Sequence, residues 1–132
     1  MEFSSLVLME KDKVTNMLVR EMGSYEVGEG AEFITKMFYD GDKVNIYFDT
    51  CTDVNEWEFT AIFDVFQLEA FEEKGIDIET EDDEYNPTWL VKFDFSEDYD
   101  TMRDKIQELC ILIKENMELA FSEIKEHEEE YK

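Results

Sequence analysis

The chain is predicted to fold as an α+β domain: a mainly antiparallel sheet of about five strands with two helices, in the order ββββαβα. Three observations predict it. Short stretches alternate apolar and polar residues, as half-buried strands do. An Asp-Gly turn joins two of those stretches. Two longer stretches switch to the helical period, and the second runs to about Glu128.

The first strand pair comes from Phe3 to Glu10, with the run Leu6-Val7-Leu8-Met9, and Thr15 to Met22, separated by the charged turn Lys11-Asp12-Lys13. Gly23 to Gly30 is rich in glycine and glutamate and reads as a loop or irregular strand extension. Phe33 to Tyr39 then meets Lys43 to Asp49 across Asp40-Gly41-Asp42, where glycine supplies the positive φ of a tight turn. In the return strand Val44, Ile46 and Phe48 alternate with Lys43, Asn45, Tyr47 and Asp49, so one face is dry and one wet.

Asp53 followed by Glu56 has the spacing of a capping box, and a helix is expected from about Val54 to Lys74, stopped by Gly75. Trp57, Ala61, Val65 and Leu68 form one apolar arc; Phe59, Ile62, Phe63, Phe66 and Ala70 form another, so the helix is covered on two sides. Glu69 to Glu84 carries nine acids and one lysine and reads as an acidic loop with room for a short edge strand. Thr88 to Phe95 is a strand that starts behind Pro87, a position that tolerates the missing N–H. Ser96 with Glu97, Asp98 and Asp100 caps the last helix, whose stripe is Met102, Ile106, Leu109, Ile113, Met117, Ala120 and Ile124. At about 1.5 Å per residue this helix is longer than the strands, and its stripe is expected to overhang the sheet.

Charge narrows the function classes. In 132 residues there are 36 Asp and Glu against 12 Lys and Arg, a net charge of -24. Such a surplus repels nucleic acid and anionic membranes and favours a basic or amphipathic protein partner. With 43% apolar and 14% aromatic residues the chain escapes the composition of acidic disordered segments. No apolar run is long enough to cross a bilayer and the first residues lack a signal peptide's basic region, so a cytoplasmic protein is expected. Cys51 and Cys110 fit no metal or redox spacing.

No motif points to catalysis or a cofactor. Asp94, Ser96, Asp98 and Asp100 match the first spacings of a calcium loop, but Tyr99 stands where glycine is needed and Lys105 where the closing glutamate belongs. The stretch from Asp77 fails likewise, with Asp82 and Thr88 at those places. Glu123 and His127 could chelate a metal at i and i+4, but only near a helix end. Asp100, Asp104 and Glu108 read as a solvated helix face. Cys110 lies on the apolar stripe, and Gly28-Glu29-Gly30 is at best half of a phosphate loop. Neither a metal site nor a cofactor is therefore expected.

The remaining pattern is aromatics set among acids: Tyr39, Tyr47, Trp57, Phe59, Tyr85, Trp89 and Tyr99. Aromatic residues are enriched at protein interfaces. The expected partner-binding residues are Glu79, Glu81, Asp82, Asp83, Glu84 and Tyr85 in the acidic stretch, with Met117, Phe121 and Ile124 on the last helix. The overhanging stripe is expected to give a weak homodimer that tightens with salt.

The blocks 33–49, with FITKMFYDGDKVNIYFD, and 85–94, with YNPTWLVKFD, resemble a family of small uncharacterised acidic proteins from anaerobic Firmicutes. That resemblance covers most of the chain; it implies a bacterial cytosolic origin and carries no activity. In size, acidity and closing helix the chain is also similar to secretion chaperones, which bind unfolded segments of client proteins, although those open with a helix where this chain opens with a hairpin. The expectation is a non-enzymatic, chaperone- or adaptor-like binding module. The alternative is a small enzyme or metal-binding protein whose carboxylates converge only in the fold.

Overall fold

A computed structural model describes residues 4–12, 14–15, 17–27, 30–81 and 83–131. Its frame is a six-stranded sheet in the order β2-β1-β3-β4-β6-β5. The strands are β1 (Ser4–Lys11), β2 (Leu18–Val27), β3 (Ile34–Tyr39), β4 (Lys43–Asp49), β5 (Asp77–Glu81) and β6 (Thr88–Asp94). Four of the five pairings are antiparallel; β1 and β3 run parallel over a short stretch, Met9 beside Phe38 and Glu10 beside Tyr39.

The sheet has one strand more than the mainly antiparallel sheet of about five that the sequence predicts, and two stretches take their strand alternatives. Part of the acidic stretch is a strand, β5, because Ile76 (1% exposed) and half-buried Ile78 anchor it to the core while its acids face outward. The stretch from Gly23, read as a loop or irregular strand extension, is strand as far as Val27, because Tyr25 is buried and stacks on Tyr99 with ring centroids 5.1 Å apart. Gly28 and Glu29 lie outside the described residues.

The second hairpin forms as its turn chemistry requires. Gly41 has φ 94°, and Asp40 Oδ1 accepts from the N–H groups of Asp42 and Lys43 at 2.9 and 2.8 Å. From it the inner face of the sheet follows by alternation: Val44, Ile46 and Phe48 on β4, with Trp89, Val91 and Phe93 opposite them on β6, all buried.

Helix α1 (Glu56–Val65) starts two residues later than the capping box expected at Asp53. Asn55 is its N-cap, and the Asn55 N–H donates to Glu58 Oε1 at 2.8 Å. The expected single helix to Lys74 is broken. Phe66 is extended (φ -64°, ψ 131°), and a one-turn helix, α2 (Glu69–Glu72), follows. The cause lies in the two apolar arcs. A straight helix cannot turn both onto one sheet face, whereas the break lets Phe66 and Phe71 close over Phe48 and Trp89. Phe66 and Trp89 stack at 4.2 Å, Phe48 and Phe71 at 5.9 Å, and Phe48 and Trp89 at 5.3 Å.

The long helix α3 (Tyr99–Glu126) is capped by Asp98, whose Oδ2 accepts from Thr101 N–H at 3.3 Å, rather than by Ser96. It leads into the one-turn α4 (Glu128–Tyr131). Its stripe does not overhang. Met102, Ile106, Leu109, Ile113, Met117, Ala120 and Ile124 are all at most 1% exposed, because α1 and β2 pack against α3 as well as the central strands.

Candidate functional site

The outer face of the sheet is built from the residues that alternate with the core. Register sets Tyr47 opposite Leu90, Glu79 opposite Leu90 from the other side, and Glu81 opposite Thr88. Leu90 is only 5% exposed there, hemmed in by the longer side chains on both flanking strands. A cleft of about 320 Å³ opens on this face, lined by Thr35, Lys36, Tyr47, Asp49, Glu81, Glu84 and Thr88.

Three carboxylates bear on the Tyr47 hydroxyl. Its pKa is raised from the ordinary phenol value first by burial, then by the negative charges of Glu81, Glu79 and Glu84. Lys36 Nζ stands 5.5 Å from the Tyr47 ring centre, and the Phe38 ring lies 6.4 Å from it. Glu79 reaches Lys92 at 3.9 Å, an exposed pair of little energetic weight. The arrangement is a partly desolvated aromatic floor with a negative rim, which suits a cationic side chain carried on an apolar stem.

Beside the cleft the chain turns outward. Asp83, Glu84 and Tyr85 are exposed, Tyr85 by 80%. Asn86 anchors the far end of this turn: its Nδ2 donates to Asp53 Oδ1 at 3.2 Å and its carbonyl accepts from Thr88 Oγ1 at 2.9 Å. Of the partner-binding residues expected from the sequence, Glu79, Glu81, Asp83, Glu84 and Tyr85 thus gather at one sheet edge, while Asp82 lies outside the described residues. Met117 and Ile124 do not join them. Both are 1% exposed beneath the inner face, and Phe121 is half-buried against the same core. The sheet stands between the two groups, so the expected surface on the last helix is corrected to core.

Lys36, Tyr47 and Asp49 complete the cleft, and sequence reasoning had not joined them to the acidic stretch. Alternation placed Tyr47 and Asp49 on a wet face, but only the strand order, with β6 between β4 and β5, brings Glu81 across from them.

The other reactive groups have local uses. A cleft of about 470 Å³ at the start of α3 is lined by Asp94, Asp104, Lys105 and Glu108 among others, and none of its carboxylates is buried. The residues of the near-miss calcium loop are engaged elsewhere: Asp94 with Lys43 at 2.5 Å, Asp98 as the helix cap, Asp100 with Arg103 at 3.4 Å. His127 meets Glu130 at 3.2 Å. Among the described residues no three carboxylate, histidine or cysteine side chains gather as a metal site. Cys110 is buried, and desolvation, with Glu32 nearby, pushes its thiol up to about 12. No helix among the described residues is long and apolar enough to cross a membrane.

Fold and site together define an α+β protein with one sheet face under helices and an acidic, aromatic cleft on the other. The chain belongs to a family of unknown function, DUF6762, whose model matches residues 1–132. No curated protein and no solved structure matches it.

Proposed function

We propose that this is a non-enzymatic binding module of the bacterial cytoplasm, chaperone- or adaptor-like, that holds a basic or amphipathic segment of another protein against its acidic outer face. The observation that carries the reading is the outer-face cleft in which Glu81 and Glu84 stand beside half-buried Tyr47. A lysine or arginine of the partner would enter the cleft beside Lys36, with its stem along the Tyr47 ring and its charge meeting those carboxylates. Strand β5 lies at the sheet edge, so an extended segment could also add to it by backbone pairing, with basic side chains facing the acids. The net charge of -24 draws such a partner in and turns nucleic acid and anionic lipid away.

The test is a titration of a lysine-rich amphipathic peptide into the protein, beside capture of partners from a native lysate at low and moderate salt. Binding should weaken with salt, and Glu81→Gln with Glu84→Gln should weaken it by about tenfold, as expected for loss of more than 1 kcal/mol. Peptide affinity unaffected by those substitutions would remove the cleft from the reading.

A further inference from the structure

The sheet has two edges of opposite character. At one, β5 presents Asp77, Glu79 and Glu81, the kind of charge that keeps like edges apart. At the other, β2 and the turn before it present Val14, Met17, Leu18 and Val19, exposed by 92%, 65%, 57% and 57%. Among the described residues these are four of the most exposed large apolar side chains, and they lie at the turn end of the first hairpin, where Asp12 N–H donates to Met17 O at 2.9 Å.

The hairpin is also where the charge vanishes. From Val7 to Tyr25 the sequence holds three acids, Glu10, Asp12 and Glu21, and three bases, Lys11, Lys13 and Arg20, a local net charge of zero in a chain of -24. A basic partner gains no attraction at this end, whereas a copy of the chain can approach here with little of the repulsion that its acidic remainder would exert. Arg20 is already paired with Glu10 at 3.0 Å, so its charge is balanced within the chain and adds no repulsion between copies.

The geometry points to a homodimer formed through the turn end of the β1–β2 hairpin, the apolar side chains of two copies packing about a two-fold axis. The β1–β2 register slips twice, leaving Met22 and Val19 without partners on β1. Such bulges bend an edge strand and interrupt its ladder. They favour a closed pair over continuous strand addition, which would build a filament.

Sedimentation of the full chain at about 0.05 M and about 0.5 M NaCl tests this, since screening shortens the reach of the acids on the rest of the surface. A dimer should be present and tighten with salt. Met17→Glu with Val19→Glu should raise its dissociation constant at least about tenfold without moving the melting curve. Should that pair disturb folding, Val14→Glu in the turn should give the same loss. Ile111→Glu with Leu119→Glu, exposed on α3, should leave the dimer intact. A strict monomer at high protein concentration and high salt would overturn the proposal. So would hairpin variants that dimerise as well as the parent, or loss of the dimer only in the α3 variants.

Discussion

A Cβ added at Gly30 would lie 2.0 Å from the carbonyl oxygen of Cys110. The contact is backbone against backbone, and it marks where the crossover from β2 to β3 passes beneath α3. Gly30 also has φ +99°, a conformation costly to other residues.

Gly30→Ala should therefore destabilise the protein by about 2–5 kcal/mol, combining the left-handed backbone with forced displacement of α3. Gly75→Ala provides the contrast: φ is +75°, but nothing lies within 4 Å of the added atom, so only the backbone cost of about 1–2 kcal/mol applies. Urea unfolding of both variants measures the difference. Equal losses would mean that the contact with Cys110 has no energetic weight.

The two thiols should separate cleanly. Cys51 is exposed, while the buried Cys110 thiol is pushed up to about 12. At pH 8 a disulfide reagent should titrate one thiol rapidly and the second only in denaturant. Rapid modification of both would show that α3 opens readily.

Truncation on α3 should depend on the face it strikes. Ile124→Ala, at 1% exposure, should cost about 2–5 kcal/mol, and Leu119→Ala, at 60%, no more than about 0.5 kcal/mol. Thermal or urea unfolding decides it. A stable, fully folded Ile124→Ala protein would return that end of the helix to the surface.

The Asp94–Lys43 pair gives a pH signature. Lys43 holds the Asp94 carboxyl below its usual range through a hydrogen bond and its charge, and Asp94 holds Lys43 above its own. A carboxyl whose pKa is lowered on folding contributes above the ordinary carboxylate range and loses that contribution as pH falls through it. A lysine raised on folding contributes below its ordinary range and loses the contribution as pH rises through it. Asp94→Asn should melt slightly lower than the parent at pH 7, and the gap should close towards pH 2. A gap that widens on acidification would contradict the pairing. The effect is small because Asp94 faces solvent.

Salt acts on the whole surface. With -24 charges the folded state repels itself, so the melting temperature should rise between dilute buffer and about 0.3 M NaCl. Scanning calorimetry would register the opposite sign if specific ion pairs outweighed that repulsion.

What could be read from the sequence was what local chemistry decides. The β3–β4 hairpin was legible because Asp40, Gly41 and Asp42 specify their own turn, and β6 because Trp89, Val91 and Phe93 alternate behind Pro87. The break after Val65 was not, since Phe66 and Gln67 carry no helix breaker; the bend is imposed by the rings of Trp89 and Phe71. The parallel contact of β1 with β3 was equally hidden, because it depends on the crossover held at Gly30 by a helix about 80 residues later. At the candidate site, composition foretold the exposed acids of β5 and its turn. The match of Glu81 to Tyr47 had to await the strand order, and Met117 and Ile124 were misplaced because the stripe was measured against the sheet without α1.

Covering the inner face with α3 sets an order on synthesis. The ring of Tyr25, which Tyr99 covers, leaves the ribosome well before residues 99–126, which bury that part of the face. At about 5–20 residues per second, the nascent sheet carries an unroofed apolar surface for some seconds. During that interval a half-made chain resembles the kind of client that holding chaperones recognise, and the protein becomes independent of them only when its last long helix arrives.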